Sequence, residues 1–452
     1  MDPILARYAE LRVPRYTSYP PASLFGAGVD AAGVAGWLAA LDEAATLSLY
    51  LHIPYCRQVC WYCACNMRLA VREAPVRAYA GILRREVAFV AEHLPARMAV
   101  TSVHWGGGTP NAMPLDALEA IWAEVCTAFR IVPGAEIAFE VDPRTFTADM
   151  APGLARLGAT RASLGVQEFD PEVQAAVNRV QPYDVVAATV ERLRGAGVES
   201  INFDLMYGLP HQTAETLART VAQSLTLAPD RVALFGYAHV PWMARKQRML
   251  PEAALPGSPA RFAQAETAAR LLVEAGYERI GLDHFARPGD AMAAAAREGR
   301  LARNFQGYTV DAADALLGLG ATAISSLPQG YAQNIAETGA HARAVAARQL
   351  PVARGYALTR EDRLRRAVIE RLMCELMVDV AALARLHGYR RTHLMPELAR
   401  CRRFAEEGLV RIDGSRLIVC EAGRAALRVI AAQFDQHLAP QVEGPRRHAV
   451  AV

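Results

Sequence analysis

Four of the chain's eight cysteines lie within ten residues, and their spacing is the first feature that points to chemistry. They are Cys56, Cys60, Cys63 and Cys65, and the first three follow the pattern C-x3-C-x2-C. Thiols grouped in this way, in a chain without a secretory signal, are more often metal ligands than disulfide partners. Three thiolates can hold three irons of a four-iron cluster and leave the fourth iron open to a ligand that is not protein. The spacing therefore predicts an iron–sulfur cluster with an open iron.

A structural zinc site is the competing interpretation of the same cysteines. Such sites usually present two C-x2-C pairs separated by a longer insert, and no second pair follows Cys65 in the sequence. An accident of packing is the other alternative. The remaining cysteines are scattered among apolar neighbours, where we expect them to pack as small hydrophobic side chains: Cys126, Cys374, Cys401 and Cys420.

Size and composition limit the possible functions. The chain has 452 residues, 52% hydrophobic and 21% charged, which is ordinary for a globular protein of two or three domains. The formal net charge of +3 is too small to require a nucleic-acid partner. No signal peptide opens the sequence, and the longest charge-free run, Ala315–Ala336, is broken by proline and polar residues, so we expect no membrane span. A reducing, cytoplasmic setting fits these features.

From Thr46 onward, short runs rich in Val, Ile, Leu and Phe alternate with amphipathic helical stretches. We expect helices over Tyr79–Leu94, Leu115–Arg130 and Thr213–Leu227. Six such alternations predict parallel strands with helices outside, either as a partial barrel or as a doubly wound sheet. The six predicted strands are Thr46–His52, Ala99–Trp105, Glu136–Val141, Thr160–Val166, Ser200–Leu205 and Arg231–Ala238.

Residues that could bind a ligand or take part in a reaction lie where these strands end. In both arrangements the site lies at the carboxyl ends of the strands, so their positions predict one shared pocket. In strand order they are the cysteine loop, Gly106-Gly107-Gly108-Thr109-Pro110, Glu140 with Asp142, Gln167, Asp204, and Tyr237-Ala238-His239.

Several of these residues also have a purely structural interpretation. The glycines Gly106–Gly108 form a tight turn after a strand, or they let the backbone approach a ligand closely. Glu140 and Asp204 are either solvated or ion-paired carboxylates, or they are acceptors for a ribose hydroxyl or an ammonium group. The sequence by itself leaves these alternatives open.

The segments outside the alternation predict an arm, a cover and a small second domain. Arg15–Pro21 reads as an extended, proline-stiffened arm, and a short helix follows over Ala31–Asp42. A β-like run, Glu278–Leu282, precedes a Gly-rich, loop-like segment from Asn304 to Asn334 that could cover the pocket.

The C-terminal part changes character after about residue 357. Helical runs over Thr359–Met377 and His393–Glu407 precede a β-hairpin around an Asp-Gly turn in Leu409–Val419, and a last helix covers Ala422–His437. This pattern predicts a small helical, winged-helix-like domain, and without a concentrated basic stripe a packing or lid role is favoured over DNA binding. The tail Glu443–Val452 reads as disordered. We therefore predict an arm over residues 1–45, a barrel over 46–350 and a C-terminal domain over 351–452.

Several long motifs resemble one family, the oxygen-independent coproporphyrinogen III oxidases of the radical S-adenosylmethionine (SAM) superfamily. The cysteine pattern is typical of the superfamily, and the additional Cys63-x-Cys65 step is typical of this branch. The resemblance extends from Arg15 to near His437. It also rests on RYTSYP at 15–20, HWGGGTP at 104–110, SLGVQEF at 163–169, NFDLMYGLP at 202–210 and RNFQGY at 303–308.

The resemblance implies a fold, cofactors and site residues. The fold would be a partial (β/α)6, TIM-like barrel, with a [4Fe–4S] cluster held by Cys56, Cys60 and Cys63 and with Cys65 not a ligand. The family binds two SAM molecules. The cluster-bound SAM would contact Tyr50, Gly107, Glu140 and Ile324. The second would lie among Tyr62, Gly108, Thr109, Gln167, Arg179, Asp204 and Ala238, with Tyr62 standing where the family often has Phe.

The implied reaction is oxidative decarboxylation of two propionates of coproporphyrinogen III to the vinyl groups of protoporphyrinogen IX. Candidates for contact with this anionic substrate are Arg15, Tyr16 and the basic segment Arg245-Lys246-Gln247-Arg248, which could equally be an ordinary exposed loop. A low-potential donor such as flavodoxin or ferredoxin would supply electrons, and we expect a monomer. The alternatives are a related haem chaperone, a paralogue acting on another tetrapyrrole, and a structural zinc or cluster protein.

Overall fold

The computed structural model describes residues 3–438, so the tail predicted to be disordered lies outside the described residues. The strands are β1 Thr46–Ile53, β2 Tyr55–Cys56, β3 Arg68–Leu69, β4 Ala99–Gly107, β5 Arg130–Val141, β6 Arg161–Gln167, β7 Ser200–Tyr207, β8 Arg231–Gly236, β9 Glu278–Ile280, β10 His284–Ala286, β11 Ala302–Asn304, β12 Gly307–Thr309, β13 Ala315–Leu319, β14 Ile324–Leu327, β15 Gly330–Asn334, β16 Val352–Ala357, β17 Met377–Asp379, β18 Val410–Asp413 and β19 Arg416–Val419.

The α-helices lie mostly between these strands. They are α1 Pro3–Ala9, α2 Ala31–Ala39, α3 Ala74–Ala91, α4 Leu115–Ala128, α5 Met150–Arg156, α6 Pro171–Ala176, α7 Tyr183–Gly195, α8 Ala214–Thr226, α9 Ser258–Glu274, α10 Ala291–Arg297, α11 Thr338–Ala346, α12 Arg360–Glu375, α13 Val380–Leu386, α14 Met395–Arg400, α15 Arg402–Glu406 and α16 Leu427–Ala431. Among residues 3–438, none of the helices combines the length and apolar character that crossing a bilayer requires.

All six predicted strands of the alternation are confirmed as β1, β4, β5, β6, β7 and β8. They are neighbours in that order, and each pair is parallel, as expected when helices connect them. The largest sheet has twelve strands, because β13–β16 extend it beside β1 and β9–β10 close its other end. This is the predicted α/β architecture, a partial barrel with helices outside.

The two faces of the parallel strands differ in chemistry. One face packs into the main core under the helices and is apolar throughout, as in Leu47, Leu49 and Leu51 of β1. Because side chains alternate along a strand, the intervening residues share the opposite face. There the side chains are largely polar, and they include Ser48, Tyr50, His52, Ser102, His104, Glu136, Glu140, Arg161, Ser163, Asn202 and Asp204. The inner face is therefore suited to polar ligands.

The segment from Asn304 to Asn334 is not the loop that its glycines indicated. It contains four strands, β12–β15, and the last residue of β11. Strand β13 pairs with β1 in parallel, so β13 is a seventh parallel strand. A Cβ atom on Gly318 would lie 2.5 Å from the Ile324 carbonyl oxygen, so the glycine permits close approach of β13 and β14. The glycines thus serve strand packing instead of flexibility.

The N-terminal arm packs into the C-terminal core. Tyr16 and Tyr19 are buried with Leu5 and Tyr8 of the N-terminal segment in one hydrophobic cluster with residues of α12, α16 and the C-terminal hairpin. The hydroxyl of Tyr16 donates to Asp435 Oδ2 at 3.0 Å, and that of Tyr19 accepts from the Gln436 amide at 3.0 Å. Neither α1 nor this packing was predicted, and the division at residues 45 and 350 stays a prediction.

The C-terminal part agrees with a helical, winged-helix-like arrangement. The predicted hairpin is β18–β19, and β17 pairs with β19 to complete a three-stranded sheet. The predicted helix over 393–407 is divided into α14 and α15, and the last predicted helix contains α16 between two short 3₁₀ helices, Glu421–Ala426 and Ala432–Phe434. Boundaries of short helices depend on tertiary contacts, which the sequence pattern does not contain.

We expect Tyr19→Ala to destabilise the junction between the arm and the C-terminal core. Its side chain is 1% exposed, and replacing a buried aromatic side chain by Ala costs about 3–5 kcal/mol. Chemical denaturation of the purified variant measures this loss. The neighbouring, half-buried Thr17→Ala is the control, and equal stability of both variants would show that the arm is not part of this core.

Candidate functional site

The cysteine loop follows β1 and is fixed at both ends. Strands β2 and β3 pair in parallel as a separate two-stranded sheet, so the loop starts at Tyr55 and comes back beside its start at Arg68. The loop is also bound to the turn after α6, because the Trp61 amide donates to the Val177 carbonyl at 3.0 Å and Asn178 Nδ2 donates to the Val59 carbonyl at 2.7 Å. The loop therefore has a defined position at the carboxyl end of β1.

Two arginines surround the thiol of Cys60. Arg144 Nη2 and Arg179 Nη1 donate to Cys60 Sγ at 3.2 and 3.3 Å, and both guanidinium groups also contact the carboxylate of Asp142, at 2.6 and 3.4 Å. Cys60, Asp142 and Arg179 are all buried. Guanidinium groups in this position can balance the negative charge that a metal-bound sulfur carries.

The other thiols differ in their surroundings. Burial raises the pKa of the Cys56 thiol to about 12. The hydrogen bond with the Cys65 side chain, opposed by burial and aided by the nearby Lys246 ammonium, lowers the pKa of Cys63 to about 6. Cys65 itself is exposed, and its amide donates to Cys63 Sγ at 3.3 Å. In this arrangement Cys65 supports Cys63.

A second group of residues lies on the inner face of β1, β4 and β5. The Glu140 carboxylate accepts from His104 Nε2 at 3.0 Å and from the Gly107 amide at 3.1 Å. Tyr50 lies over His104 with ring centroids 5.8 Å apart, and its hydroxyl is 3.0 Å from His52 Nδ1. These contacts fix the orientation of the Glu140 carboxylate on the inner face.

The glycine turn after β4 is held close to the cysteine loop. Gly107 has φ +117°, and a Cβ atom there would lie 2.7 Å from the His52 ring. At Gly108 a Cβ atom would lie 2.5 Å from the Tyr55 carbonyl oxygen. The Thr109 amide donates to that same carbonyl at 2.8 Å. Both glycines are thus required by the protein's own packing, whatever ligand their backbone binds.

The inner face continues on β6 and β7 with Gln167 and Asp204. Gln167 has φ +67°, and its Oε1 is buried without a hydrogen-bond partner among the described residues. Asp204 accepts from Asn202 Nδ2 at 2.9 Å. Burial, with the nearby Glu140 carboxylate, raises the pKa of Asp204 to about 7. An unpartnered acceptor and a carboxyl group with a raised pKa are features typical of a site for a polar ligand.

Arg179 connects this face to the cysteine loop. Besides Cys60 and Asp142 it donates to the Gly165 carbonyl and, at 3.2 Å, to Gln181 Oε1. Its Nε is buried and has no hydrogen-bond partner among residues 3–438. Because neighbouring anions outweigh the effect of burial, the pKa of the Arg179 guanidinium is raised further above its ordinary value.

The remaining predicted residues are divided between this site and other regions. Tyr62 packs beside Val173, Val177 and Leu209, and Gln247 Nε2 donates to both the Tyr62 and the Ala238 carbonyls, at 2.8 and 3.1 Å. Ile324 begins β14, on the far side of β13 from β1.

The substrate candidates are also spread apart. Arg15 donates to the Gly236 carbonyl at 2.7 Å at the end of β8, whereas Tyr16 is buried in the C-terminal core. Arg245 is exposed, and in the same basic segment Lys246 Nζ donates to the Cys65 carbonyl at 3.3 Å. Part of that segment thus supports the cysteine loop. Roles in substrate binding for Arg15, Tyr16 and Arg245 stay predictions.

Sequence reasoning missed Arg144, His104 as a partner of Glu140, and Gln247 as a support of the loop. A signal existed for Arg144, since Asp142-Pro143-Arg144 follows a strand end and places both charges on one turn. No signal existed for Gln247, because its contacts join segments about 185 residues apart in sequence. Such contacts are decided by tertiary structure.

The residues fit an iron–sulfur cluster better than a single metal ion. Among residues 3–438, no three His, Cys, Asp or Glu side chains are grouped to hold one ion. In a four-iron cluster each thiolate binds a different iron, so three ligands need not meet at one centre. An anionic cluster fits the thiols and the two arginines that donate to Cys60 Sγ. A polar cofactor beside it fits the buried atoms of Gln167 and Arg179 that have no hydrogen-bond partner among residues 3–438.

We expect Asp204→Asn to stabilise the ligand-free protein in a pH-dependent way. The pKa of the Asp204 carboxyl group is about 7 in the folded state, because the buried site disfavours the charge. The free energy of unfolding of the wild type therefore falls as the pH rises from about 4 through 7. Asn cannot ionise, so its free energy of unfolding does not fall in this way. The difference in this free energy between variant and wild type should be about 2 kcal/mol larger at pH 8 than at pH 4.5, allowing for screening. Denaturant unfolding at both pH values measures this gain. Asp149→Asn, at an exposed carboxylate, is the control, and a gain independent of pH would contradict the argument.

Comparisons with known proteins agree with this geometry. Residues 50–223 match the family model described as the radical SAM superfamily, and residues 358–425 match the HemN C-terminal domain. The first range contains the cysteine loop and the inner faces of β4–β7, and the second contains most of the C-terminal core.

The similar proteins match over nearly the whole chain. An oxygen-independent coproporphyrinogen III oxidase from Bradyrhizobium diazoefficiens is 49% identical over 445 residues, 98% of each chain. One from Paracoccus denitrificans is 43% identical over 94% of each chain. The solved coproporphyrinogen III oxidase from Escherichia coli, a radical SAM enzyme, superposes with a TM-score of 0.90 at 35% identity, covering 95% of this chain and 100% of that one. From the cysteine loop to the C-terminal core, the chain belongs to the family of oxygen-independent coproporphyrinogen III oxidases within the radical SAM superfamily.

Proposed function

We propose that the chain is a radical SAM oxidoreductase that decarboxylates two propionate side chains of coproporphyrinogen III oxidatively to vinyl groups. The product is protoporphyrinogen IX, an intermediate of haem biosynthesis. The observation that carries the proposal is the three-thiol loop fixed beside the polar inner face of a parallel sheet, in a chain whose full-length relatives carry this activity in their names.

The cluster would be held by Cys56, Cys60 and Cys63. When bound, the cluster and SAM supply a low-potential electron and the adenosyl radical that abstracts hydrogen from the substrate. The chain's own contribution is electrostatic. Arg144 and Arg179 donate to Cys60 Sγ, and the Asp142 carboxylate contacts both guanidinium groups, which limits their mutual repulsion.

The SAM on the cluster would contact Tyr50, Gly107, Glu140 and Ile324. Glu140 is an acceptor for a hydroxyl or ammonium hydrogen of that cofactor, and His104 Nε2 keeps its carboxylate aligned. Gly107 donates its amide to Glu140, which ties the glycine turn to the same carboxylate. Because Gly107 has no side chain, the His52 ring can lie against its backbone.

A second SAM would lie among Tyr62, Gly108, Thr109, Gln167, Arg179, Asp204 and Ala238. Support comes from the buried, unpartnered Gln167 Oε1 and Arg179 Nε, both of which a polar ligand would satisfy. Asp204 can accept two hydrogen bonds from a ribose diol, and Arg179 can pair with the cofactor's carboxylate. Binding of such donors at Asp204 would favour its ionised form.

At the substrate, one hydrogen atom leaves the propionate β-carbon, then CO2 and one electron leave, and the vinyl double bond remains. The site must keep water and other hydrogen donors away while this happens. The arm lies at the end of the barrel near Gly236, where Arg15 donates to the Gly236 carbonyl at 2.7 Å. An arm in this position would help to exclude water from the reaction.

We further propose a low-potential flavodoxin or ferredoxin as the electron donor, a monomeric protein and a reducing compartment such as the cytoplasm. All eight cysteines are free thiols in the structure, and free thiols persist in reducing compartments. A haem chaperone of the same superfamily is the alternative, in which the tetrapyrrole is bound and not converted.

The direct test is an anaerobic assay of the reconstituted protein with coproporphyrinogen III, SAM and a strong reductant. We expect protoporphyrinogen IX together with CO2, quantified after oxidation to the fluorescent porphyrin. Cleavage of SAM without this product would mean a paralogue with another substrate. Stoichiometric porphyrin binding without turnover would mean the chaperone alternative.

We expect Cys56→Ala, Cys60→Ala and Cys63→Ala each to abolish the cluster, because each removes one iron ligand. Cys65→Ala is the matched control, and it should still assemble the cluster. Iron and sulfide analysis of anaerobically purified variants, with the visible absorption spectrum, checks both statements. Loss of the cluster in Cys65→Ala but not in one of the others would overturn the ligand assignment.

A further inference from the structure

A cavity rich in arginine lies at the carboxyl end of β8, under the N-terminal arm and the C-terminal core. Its lining includes Gly236, Tyr207 and five arginines, which are Arg15, Arg261, Arg279, Arg303 and Arg428. These arginines come from five separate segments, which are the arm, α9, β9, β11 and α16. The fold therefore assembles a concentration of positive charge that no single segment reveals.

Three of the arginines are oriented by contacts with neighbouring protein groups. Arg303 lies over the Tyr308 ring at 4.3 Å, and Arg261 lies over the Tyr207 ring at 5.6 Å. Arg428 Nε donates to the Pro14 carbonyl at 3.1 Å. Fixed guanidinium groups lose little further freedom when they bind an anion, so the cavity is preorganised.

Arg303 has unused hydrogen-bond donors despite its burial. Its side chain is 5% exposed, and its Nε and Nη1 have no hydrogen-bond partner within residues 3–438. The carboxylate of Asp283 is 4.0 Å from Nη1, and it is already bonded to His284 Nδ1 at 2.7 Å. Nη2 donates to the Arg15 carbonyl at 3.4 Å. The two remaining buried donors are costly without acceptors, and an anionic ligand in the cavity would supply them.

The cavity's acidic residues do not balance its arginines. Asp283 stands between Arg303 and His284, and Glu266 faces Arg279, a further lining residue, at 3.5 Å. Burial and the like charges of Arg15 and Arg303 lower the pKa of Arg428 to about 9. Positive groups thus face one another across the cavity, and an anion between them would relieve the repulsion.

We propose that this cavity is a carboxylate site that anchors propionate groups of the tetrapyrrole substrate, with Arg15, Arg261, Arg303 and Arg428 as its binding residues. The proposal rests on the proposed function. Coproporphyrinogen III carries four propionates and loses two, so carboxylates remain throughout the reaction to hold the ring. Arginine forks match carboxylate geometry, and the cavity reaches Tyr237, the neighbour of Ala238 in the cofactor set.

The test is equilibrium dialysis of the anaerobic, cluster-loaded protein with SAM against coproporphyrinogen III, quantified after oxidation by fluorescence. We expect Arg303→Gln to weaken binding about ten- to a hundredfold, the loss typical of one charge-assisted hydrogen bond. Arg300→Gln is the matched control. It removes the same charge three residues away, at an exposed side chain paired with Glu298, and it should bind like wild type.

Because Arg303 is buried, a melting curve accompanies the measurement, and Arg15→Gln, at an exposed side chain, provides the same test without disturbing a core. The tetramethyl ester of the substrate should bind wild type weakly, and Arg303→Gln should lower its affinity no further. Wild-type affinity for the tetracarboxylate in both variants, or equal wild-type affinity for the ester, would overturn the carboxylate site. Failure of wild type to bind coproporphyrinogen III at all would instead overturn the proposed function and this site with it.

Discussion

The structure depends on a constraint that acts on parallel strands covered by helices on only one face. Every second side chain must be apolar to pack under the helices, and the intervening positions are released from that requirement. In this chain those positions carry polar groups such as Tyr50, His104, Glu140 and Asp204, all directed to one inner face. Because the strands run in parallel, neighbouring groups are also brought to similar depth, as when Tyr50 pairs with His104. The same alternation that forms the core therefore forms the site.

A polar interior is costly unless its charges are paired, and the inner face is organised by that requirement. Arg144 and Arg179 share Asp142 and both contact Cys60 Sγ, so this ion cluster holds the cysteine loop against the segments that follow β5 and α6. Buried polar atoms without a hydrogen-bond partner among residues 3–438 include Arg144 Nη1 and Arg179 Nε of this cluster, and Gln167 Oε1. In a buried network the unsatisfied members mark the place where a ligand completes it.

The N-terminal arm has two structural roles, and its sequence does not show which residues serve each one. Tyr16 and Tyr19 anchor it in the C-terminal core, and this anchoring places Arg15 against the end of β8. The arm, α16 and β11 are far apart in sequence, yet together they enclose the arginine-lined cavity. Packing of the arm in the C-terminal core thereby brings the positive charge of Arg15 to the arginine-lined cavity.

The sequence by itself determined the parallel strands, the position of the cysteine loop and the strand-end residues, because periodicity and strand-end placement are local signals that the chain carries directly. It also determined the family, through motifs such as HWGGGTP. It misjudged Asn304–Asn334, since glycines that allow β13 and β14 to approach closely look the same in sequence as glycines in a loop. Only the tertiary structure decided that Gln247 supports the cysteine loop, that Tyr16 is buried, and that Arg15, Arg303 and Arg428 surround one cavity. These are contacts between segments hundreds of residues apart, and their energy depends on burial and distance, which no local pattern encodes.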